Sequence, residues 1–164
     1  MSLPAKLFNV FVVDDEYLIA STLAVILRHK GFDARSFSAP LEALQAARSD
    51  TPDLLLSDVI MSAMSGIDLA IQVQKQCPDC RVLLFSGQAA TVDLLKAARA
   101  DGHDFDLLPK PAHPTDLLRA IQEALATRRR TTQSMGPSAE RARDPLPLIV
   151  DPLPPTDLRL PFQK

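Results

Sequence analysis

The chain has 164 residues, 46% of them hydrophobic, which suffices for one packed domain and is short for two. Residues 1–127 hold 11 Lys/Arg against 16 Asp/Glu, and such an acidic body without tryptophan argues against direct nucleic-acid binding. No apolar stretch reaches the roughly 18 residues of a membrane span, and residues 1–9 lack a secretory signal, so a cytoplasmic location without membrane partners is expected.

Strand-like apolar runs alternate with helical patterns five times along residues 7–127. The first strand is predicted over 7–13 and its helix over 15–30, with Gly31 at the helix C-cap. The other strand and helix pairs are predicted over 32–37 and 39–48, 53–57 and 66–76, 81–86 and 90–100, and 104–108 and 114–127. Apolar strands joined by crossover helices favour an α/β fold with a doubly wound, five-stranded parallel sheet.

The pattern ends after Thr127, so the folded domain is predicted over 1–128. Seven prolines fall between Pro137 and Pro161, and proline disfavours both long helices and central strands. Residues 129–164 are therefore predicted to be an extended or disordered tail. Such a tail is too short and too rich in proline for a helix-turn-helix output domain.

Chemically active side chains follow four of the five predicted strands. They are Asp14 and Asp15 after the first strand, Asp58 after the third, Ser86 at the end of the fourth, and Lys110 after the fifth. The carboxyl ends of parallel strands meet at one edge, so these groups are expected in one crevice. Crowded carboxylates favour a divalent cation with oxygen ligands, such as Mg²⁺. A carboxylate can accept a phosphoryl group while an ammonium neutralises a phosphoryl oxygen.

Four motifs carry this chemistry in chain order: VVDDE (12–16), LLSDVIMSAMSG (55–66), LLFSG (83–87) and LPKP (108–111). Together they resemble the receiver domain of response regulators in two-component signalling. The resemblance covers residues 7–127 and implies the flavodoxin-like (βα)5 receiver fold. It also implies that Asp58 is the phosphorylated aspartate, Ser86 the switch hydroxyl and Lys110 the lysine that pairs with phosphate. The Lys110–Pro111 peptide bond is expected to be cis.

The same resemblance implies a Mg²⁺ site. Asp15 would bind the ion directly and Asp14 largely through water. Asp58 and the backbone carbonyl of Ile60 would complete the protein ligands.

The function predicted from the resemblance is that of a signalling switch, not an enzyme, with slow self-dephosphorylation left open. A histidine kinase or a histidine phosphotransfer protein would donate the phosphoryl group. Phosphorylation would shift an existing equilibrium on the face formed by the fourth helix, fifth strand and fifth helix. That face would bind a downstream protein target or a second copy of the chain.

The sequence departs from the family pattern at three places. Leu107 stands where a switch aromatic is usual, with Phe105 two residues earlier. Ser62 replaces the usual proline four residues after the phosphorylated aspartate. At the two positions that tune hydrolysis stand Ile60 and Gln88, and Gln88 is hypothesised to set the phosphoryl lifetime.

Two other functions remain as alternatives. A receiver-like interaction module that phosphate does not switch is compatible with Leu107. An unrelated enzyme on the same sheet is disfavoured. The first strand is followed by adjacent Asp14 and Asp15 and not by the D-x-D of a haloacid-dehalogenase-like phosphatase, and the chain lacks the G-x-G-x-x-G and G-x-x-x-x-G-K-[ST] motifs of nucleotide enzymes. The Cys77 and Cys80 pair has the C-x-x-C spacing but lacks nearby ligands, and a structural role is predicted.

Overall fold

The computed structural model describes residues 7–87 and 91–134, and for residues 128–134 it describes the backbone alone. Strands and helices alternate along this part of the chain. They are β1 (Asn9–Val13), α1 (Tyr17–His29), β2 (Asp33–Phe37), α2 (Pro40–Ala46), β3 (Leu54–Asp58), α3 (Gly66–Gln76), β4 (Arg81–Ser86), α4 (Thr91–Ala100), β5 (Asp106–Pro109) and α5 (Pro114–Ser134).

The strands form one parallel sheet in the order β2-β1-β3-β4-β5. The strand order reverses direction between β1 and β3, which is the topological switch point of a doubly wound sheet. The predicted fold class is therefore confirmed.

Helices cover both faces of the sheet. Alternate strand residues point to opposite sides, so each strand contributes apolar side chains to both faces. Phe11, Leu55 and Leu84 pack on one side with apolar residues of α2, α3 and α4. Val12 and Leu56 pack on the other side with apolar residues of α1 and α5. This double burial explains why the strands read as continuous apolar runs and not as alternating ones.

Most predicted boundaries differ from the observed ones by one or two residues. One shift of two residues that bears on the site is in β5, for which the sequence predicts 104–108 and which lies at Asp106–Pro109. Phe105 therefore precedes the strand. β3 extends to Asp58, so the predicted phosphoacceptor is the last strand residue and does not follow the strand.

Helix α1 is shorter than predicted at both ends. Glu16 is its N-cap, with an extended backbone, so Asp15 lies outside the helix. Gly31 ends the helix as predicted: its φ is +85°, and its N–H donates to Arg28 O while Phe32 N–H donates to Leu27 O. These two bonds form a Schellman motif, in which glycine avoids the strain of a positive φ.

Helix α5 continues to Ser134, past its predicted end at Thr127. Residues 128–134 contain no glycine or proline, and the first breakers in the sequence are Gly136 and Pro137. The first residues assigned to the tail are thus helical, and the prediction for residues 135–164 falls outside the described residues. In the described part of the chain, no helix has the length and apolar character to cross a membrane.

Candidate functional site

Two acidic side chains stand side by side at the carboxyl end of the sheet. Val12 pairs with Leu56, and Asp14 and Asp58 each lie two residues further on. Both carboxylates therefore project on the same side of the sheet. Asp14 is 3% exposed, and the Asp58 side chain is 11% exposed.

Lys110 joins these two carboxylates. Its Nζ donates to Asp14 Oδ2 at 3.0 Å and to Asp58 Oδ1 at 2.9 Å. The backbone N–H of Lys110 donates to Ser86 O at 2.9 Å, which fixes the start of the side chain next to β4. The Lys110–Pro111 peptide bond is cis, as expected.

The lysine is held in its charged form. Burial of the ammonium disfavours the charge, but the hydrogen bonds to Asp58 and Asp14 and their negative charges outweigh that penalty, and the Lys110 pKa is raised above its ordinary 10.5. At neutral pH the group is therefore an ammonium placed between two carboxylates.

The second oxygen of each carboxylate is bound by backbone. Asp14 Oδ1 accepts from Glu16 N–H at 2.9 Å, and Asp58 Oδ2 accepts from Ile60 N–H at 3.0 Å. Asp15 is exposed, and its Oδ2 accepts from Ser62 N–H at 3.1 Å. Ser62 thus connects the loop after β3 to Asp15 through a backbone N–H that the usual proline at this position would lack.

The donor set suits Mg²⁺ in its chemistry. Asp14, Asp15 and Asp58 carry three negative charges against the one positive charge of Lys110, and their oxygens are the hard donors that Mg²⁺ prefers. Within residues 7–87 and 91–134, however, no three acidic, histidine or cysteine side chains lie close enough together to hold a metal ion. Asp15 is turned to Ser62, and Lys110 stands between the other two carboxylates.

Ser86 is buried, and its Oγ lies 2.7 Å from Thr91 Oγ1. Thr91 is the first residue of α4 and is 1% exposed. The predicted switch hydroxyl is therefore directly linked to the start of α4. Gln88, the residue hypothesised to set the phosphoryl lifetime, lies outside the described residues.

Leu107 occupies the position where the family usually has a switch aromatic, as the sequence indicated. Leu107 is half-buried and pairs with Leu84 of β4. Phe105 is buried, and its ring stacks on His103 with a centroid distance of 6.0 Å. A cleft of about 310 Å³ opens beside these residues and is also lined by Val92 and Leu95 of α4.

Sequence reasoning missed several contributors to the site. Gly66 packs so closely on β3 that a Cβ there would lie 1.9 Å from the Asp58 backbone O. Ser57 Oγ donates to the same Asp58 O at 2.9 Å. Gly66 is the last residue of the LLSDVIMSAMSG motif, but only the tertiary structure reveals its contact with Asp58. Phe85 belongs to the LLFSG motif, and its ring centroid lies 4.9 Å from Lys110 Nζ.

Both thiols of the C-x-x-C pair are buried and free. Burial and the neighbouring Cys77 raise the pKa of Cys80 to about 12, so it is a protonated thiol at neutral pH. The pair packs in the core next to α3, in keeping with the predicted structural role.

A family model for the response regulator receiver domain matches residues 10–122. The chain therefore belongs to this family of two-component signalling proteins, as the four motifs predicted.

Curated relatives agree with this assignment. The chain is 31% identical over 121 residues to the phosphoglycerate transport system transcriptional regulatory protein PgtA of Salmonella typhimurium, covering 74% of this chain and 29% of that protein. It is 29% identical over 141 residues to the DNA-binding transcriptional regulator NtrC of Rhizobium meliloti, covering 86% of this chain and 28% of that protein. The chain thus spans less than a third of the length of these two relatives.

Solved structures agree on the fold. A response regulator receiver domain from Clostridium thermocellum superposes with a TM-score of 0.68 at 26% identity, covering 76% of this chain and 99% of that one. A CheY-like receiver domain from Methanospirillum hungatei gives a TM-score of 0.70 at 23% identity, covering 77% of this chain and 99% of that one, and supports the fold alone.

Proposed function

We propose that Asp58 accepts a phosphoryl group from a phosphohistidine of a histidine kinase or histidine phosphotransfer protein. The observation that carries this proposal is the position of the Lys110 ammonium, which bridges Asp58 and Asp14. An ammonium next to the attacking carboxylate can neutralise a phosphoryl oxygen as charge builds up during transfer.

The reaction needs a nucleophile and charge neutralisation more than covalent assistance. An Asp58 carboxylate oxygen attacks phosphorus, the P–N bond of the phosphohistidine breaks, and its electron pair stays on the imidazole nitrogen. After transfer, Asp58 no longer offers Lys110 a free carboxylate oxygen, so the Lys110 ammonium pairs with the phosphoryl group. The Ile60 N–H, which holds Asp58 Oδ2, keeps the carboxylate oriented.

Mg²⁺ would supply further neutralisation of the phosphoryl charge when bound. Asp14, Asp15, Asp58 and the Ile60 carbonyl would hold it. Asp15 would exchange its hydrogen bond from Ser62 N–H for the ion.

Phosphorylation would act on partners through α4. Ser86 is bonded to Thr91, so movement of the Ser86 hydroxyl towards a phosphoryl oxygen would break a buried contact at the start of α4. The face formed by α4, β5 and α5 would then bind a downstream protein target or a second copy of the chain. The acidic charge of residues 1–127 favours a protein partner over direct contact with nucleic acid.

The test uses phosphoramidate with Mg²⁺ as a small phosphoryl donor and intact-protein mass spectrometry. Wild type should gain one hydroxylamine-labile phosphoryl group, and Asp58→Asn should gain none. Asp101→Asn, which changes an exposed aspartate after α4, is the matched control and should behave as wild type. Phosphoryl transfer to Asp58→Asn, or none to wild type, would reject the proposal.

A second candidate function rests on Leu107. Without an aromatic at this position, ring rotation cannot link the site to β5, and the chain would serve as an interaction module insensitive to phosphate. Beryllofluoride with Mg²⁺ separates the two functions by amide NMR. Shifts that reach α4 and β5 favour the switch, and shifts confined to the loops around Asp58 favour the module.

A further inference from the structure

The Phe85 ring lies between the fifth strand and the acidic pair. Phe85 pairs in register with Asp58 on one side and with Leu108 on the other. Laterally paired residues of a parallel sheet project on the same side. A side chain that starts after β5 can therefore reach Asp58 by passing across the Phe85 position.

Lys110 follows this path. Its Nζ lies 4.9 Å from the Phe85 ring centroid while it donates to Asp58 and Asp14. The base of the side chain is equally confined, because a Cβ at Gly87 would lie 3.3 Å from Lys110 Cβ. The lysine thus has the ring beneath its ammonium and a glycine backbone beside its stem.

We propose that Phe85 is a positioning residue for phosphoryl transfer, whose ring face holds the Lys110 ammonium in line with Asp58 and Asp14. This inference rests on the proposed function of Asp58. A lysine side chain has four rotatable bonds and a strongly hydrated charge, so its position is costly to fix. An aromatic face attracts the ammonium and replaces part of its water, which an aliphatic residue of similar size does not do. The ammonium is then in place before the phosphoryl group arrives.

Phe85 is also 8% exposed and packs in the core with α1 and α5, so a role in packing alone must be separated from the proposed one. Fluorination of the ring achieves this separation, because it weakens the negative face while leaving the ring nearly the same size. Full-length chains carrying 4-fluoro-, 3,5-difluoro- or 3,4,5-trifluorophenylalanine at position 85 would be phosphorylated by phosphoramidate with Mg²⁺. The rate should fall stepwise, to about one fifth of wild type for the trifluoro ring, which corresponds to about 1 kcal/mol.

Two substitutions and a matched control complete the series. Phe85→Leu should slow the reaction by about fivefold, whereas Phe85→Tyr should stay close to wild type. Phe37 is an equally buried phenylalanine on the opposite side of the sheet, so Phe37→Leu should lose stability without this loss of rate. Equal rates across the fluorinated series, with Phe85→Leu slowed, would show that the ring only packs and would overturn the proposal.

A spectroscopic measurement tests the same contact without phosphoryl transfer. The ε-methylene protons of Lys110 should be shifted upfield by the Phe85 ring current in wild type and in Phe85→Tyr, and the shift should vanish in Phe85→Leu. Absence of the shift in wild type would also overturn the proposal. A wild type that shows the shift but takes no phosphoryl group would instead reject the function proposed for Asp58, and with it the positioning role.

Discussion

Replacement of Lys110 by methionine would leave the buried carboxylate of Asp14 and the partly buried carboxylate of Asp58 facing each other without the ammonium between them. The bound oxygens of Asp14 and Asp58 each lie within 3.0 Å of Lys110 Nζ, so they are close neighbours. Two like charges about 5–6 Å apart repel by about 3 kcal/mol at an effective dielectric constant near 20. Partial exposure of the lysine and screening by salt reduce this, and we expect Lys110→Met to lower the free energy of unfolding by about 2 kcal/mol.

The assay is urea denaturation in buffer with EDTA, at pH 8. Lys75→Met is the control, since Lys75 is exposed near the end of α3 and should change stability by less than about 0.5 kcal/mol. Added Mg²⁺ should stabilise Lys110→Met more than wild type, because the variant has one more uncompensated negative charge.

The pH dependence has a definite sign. The pKa of Lys110 in the folded chain is raised above 10.5 by the hydrogen bonds to Asp58 and Asp14, in spite of the opposing effect of burial. Its stabilising contribution is therefore complete below pH 10.5 and is lost as the pH rises through the folded value. The stability difference between wild type and Lys110→Met should be constant from about pH 7 to 9.5 and shrink at higher pH. A variant as stable as wild type, or a difference that persists unchanged at alkaline pH, would refute this reasoning.

Three further changes test other contacts of the site and core. Gly66→Ala forces a Cβ against the Asp58 backbone O and should lower the free energy of unfolding by at least about 2 kcal/mol in urea. Thr91→Val removes the hydroxyl partner of buried Ser86 and should cost about 1–2 kcal/mol in the same assay. Cys80 should resist iodoacetamide in the native chain at pH 8, as read by mass spectrometry, because its pKa is raised to about 12 by burial.

Each of these has its own control. Ala70 lies in the same helix as Gly66 and is already fully buried, so Ala70→Gly reports the loss of helix propensity and packing without a clash at β3. Thr91→Ser keeps the hydroxyl and should retain most of the stability. Urea-unfolded chain should alkylate readily at both cysteines. A Gly66→Ala chain as stable as wild type would contradict the close packing of Gly66 on Asp58. A Thr91→Ser chain as unstable as Thr91→Val would contradict the role of the Thr91 hydroxyl. Rapid alkylation of the native chain would contradict the burial of Cys80.

The sequence sufficed for the class of fold because the physical signals there are strong. Apolar runs at β1, β3 and β4 and helical spacing between them leave few arrangements other than a parallel sheet with helices on both faces. The same rule put Asp14, Asp58 and Lys110 at one edge, and the structure brings these three together.

What failed from sequence was local geometry. Glu16 caps α1 and leaves Asp15 outside the helix, and the orientation of Asp15 depends on Ser62, which lies in a different loop. β5 starts after Phe105 because its pairing begins between Leu83 and Asp106, a register set by the neighbouring strand. Helix α5 extends past Thr127 because residues 128–134 contain no breaker, whereas the prolines that predict a tail begin only at Pro137. The contact of Phe85 with Lys110 joins positions that only the folded sheet brings together.

The reactive groups come from distant parts of the chain: Lys110 is 52 residues from Asp58 and 96 from Asp14. Lys110 reaches them from the edge of the sheet, where β5 pairs only with β4 among the described strands. During synthesis the two aspartates therefore emerge well before the lysine that serves them. Under the function proposed for Asp58, a nascent or partly unfolded chain would carry the acceptor carboxylate without its cation, and it would become able to accept a phosphoryl group only when β5 docks on β4.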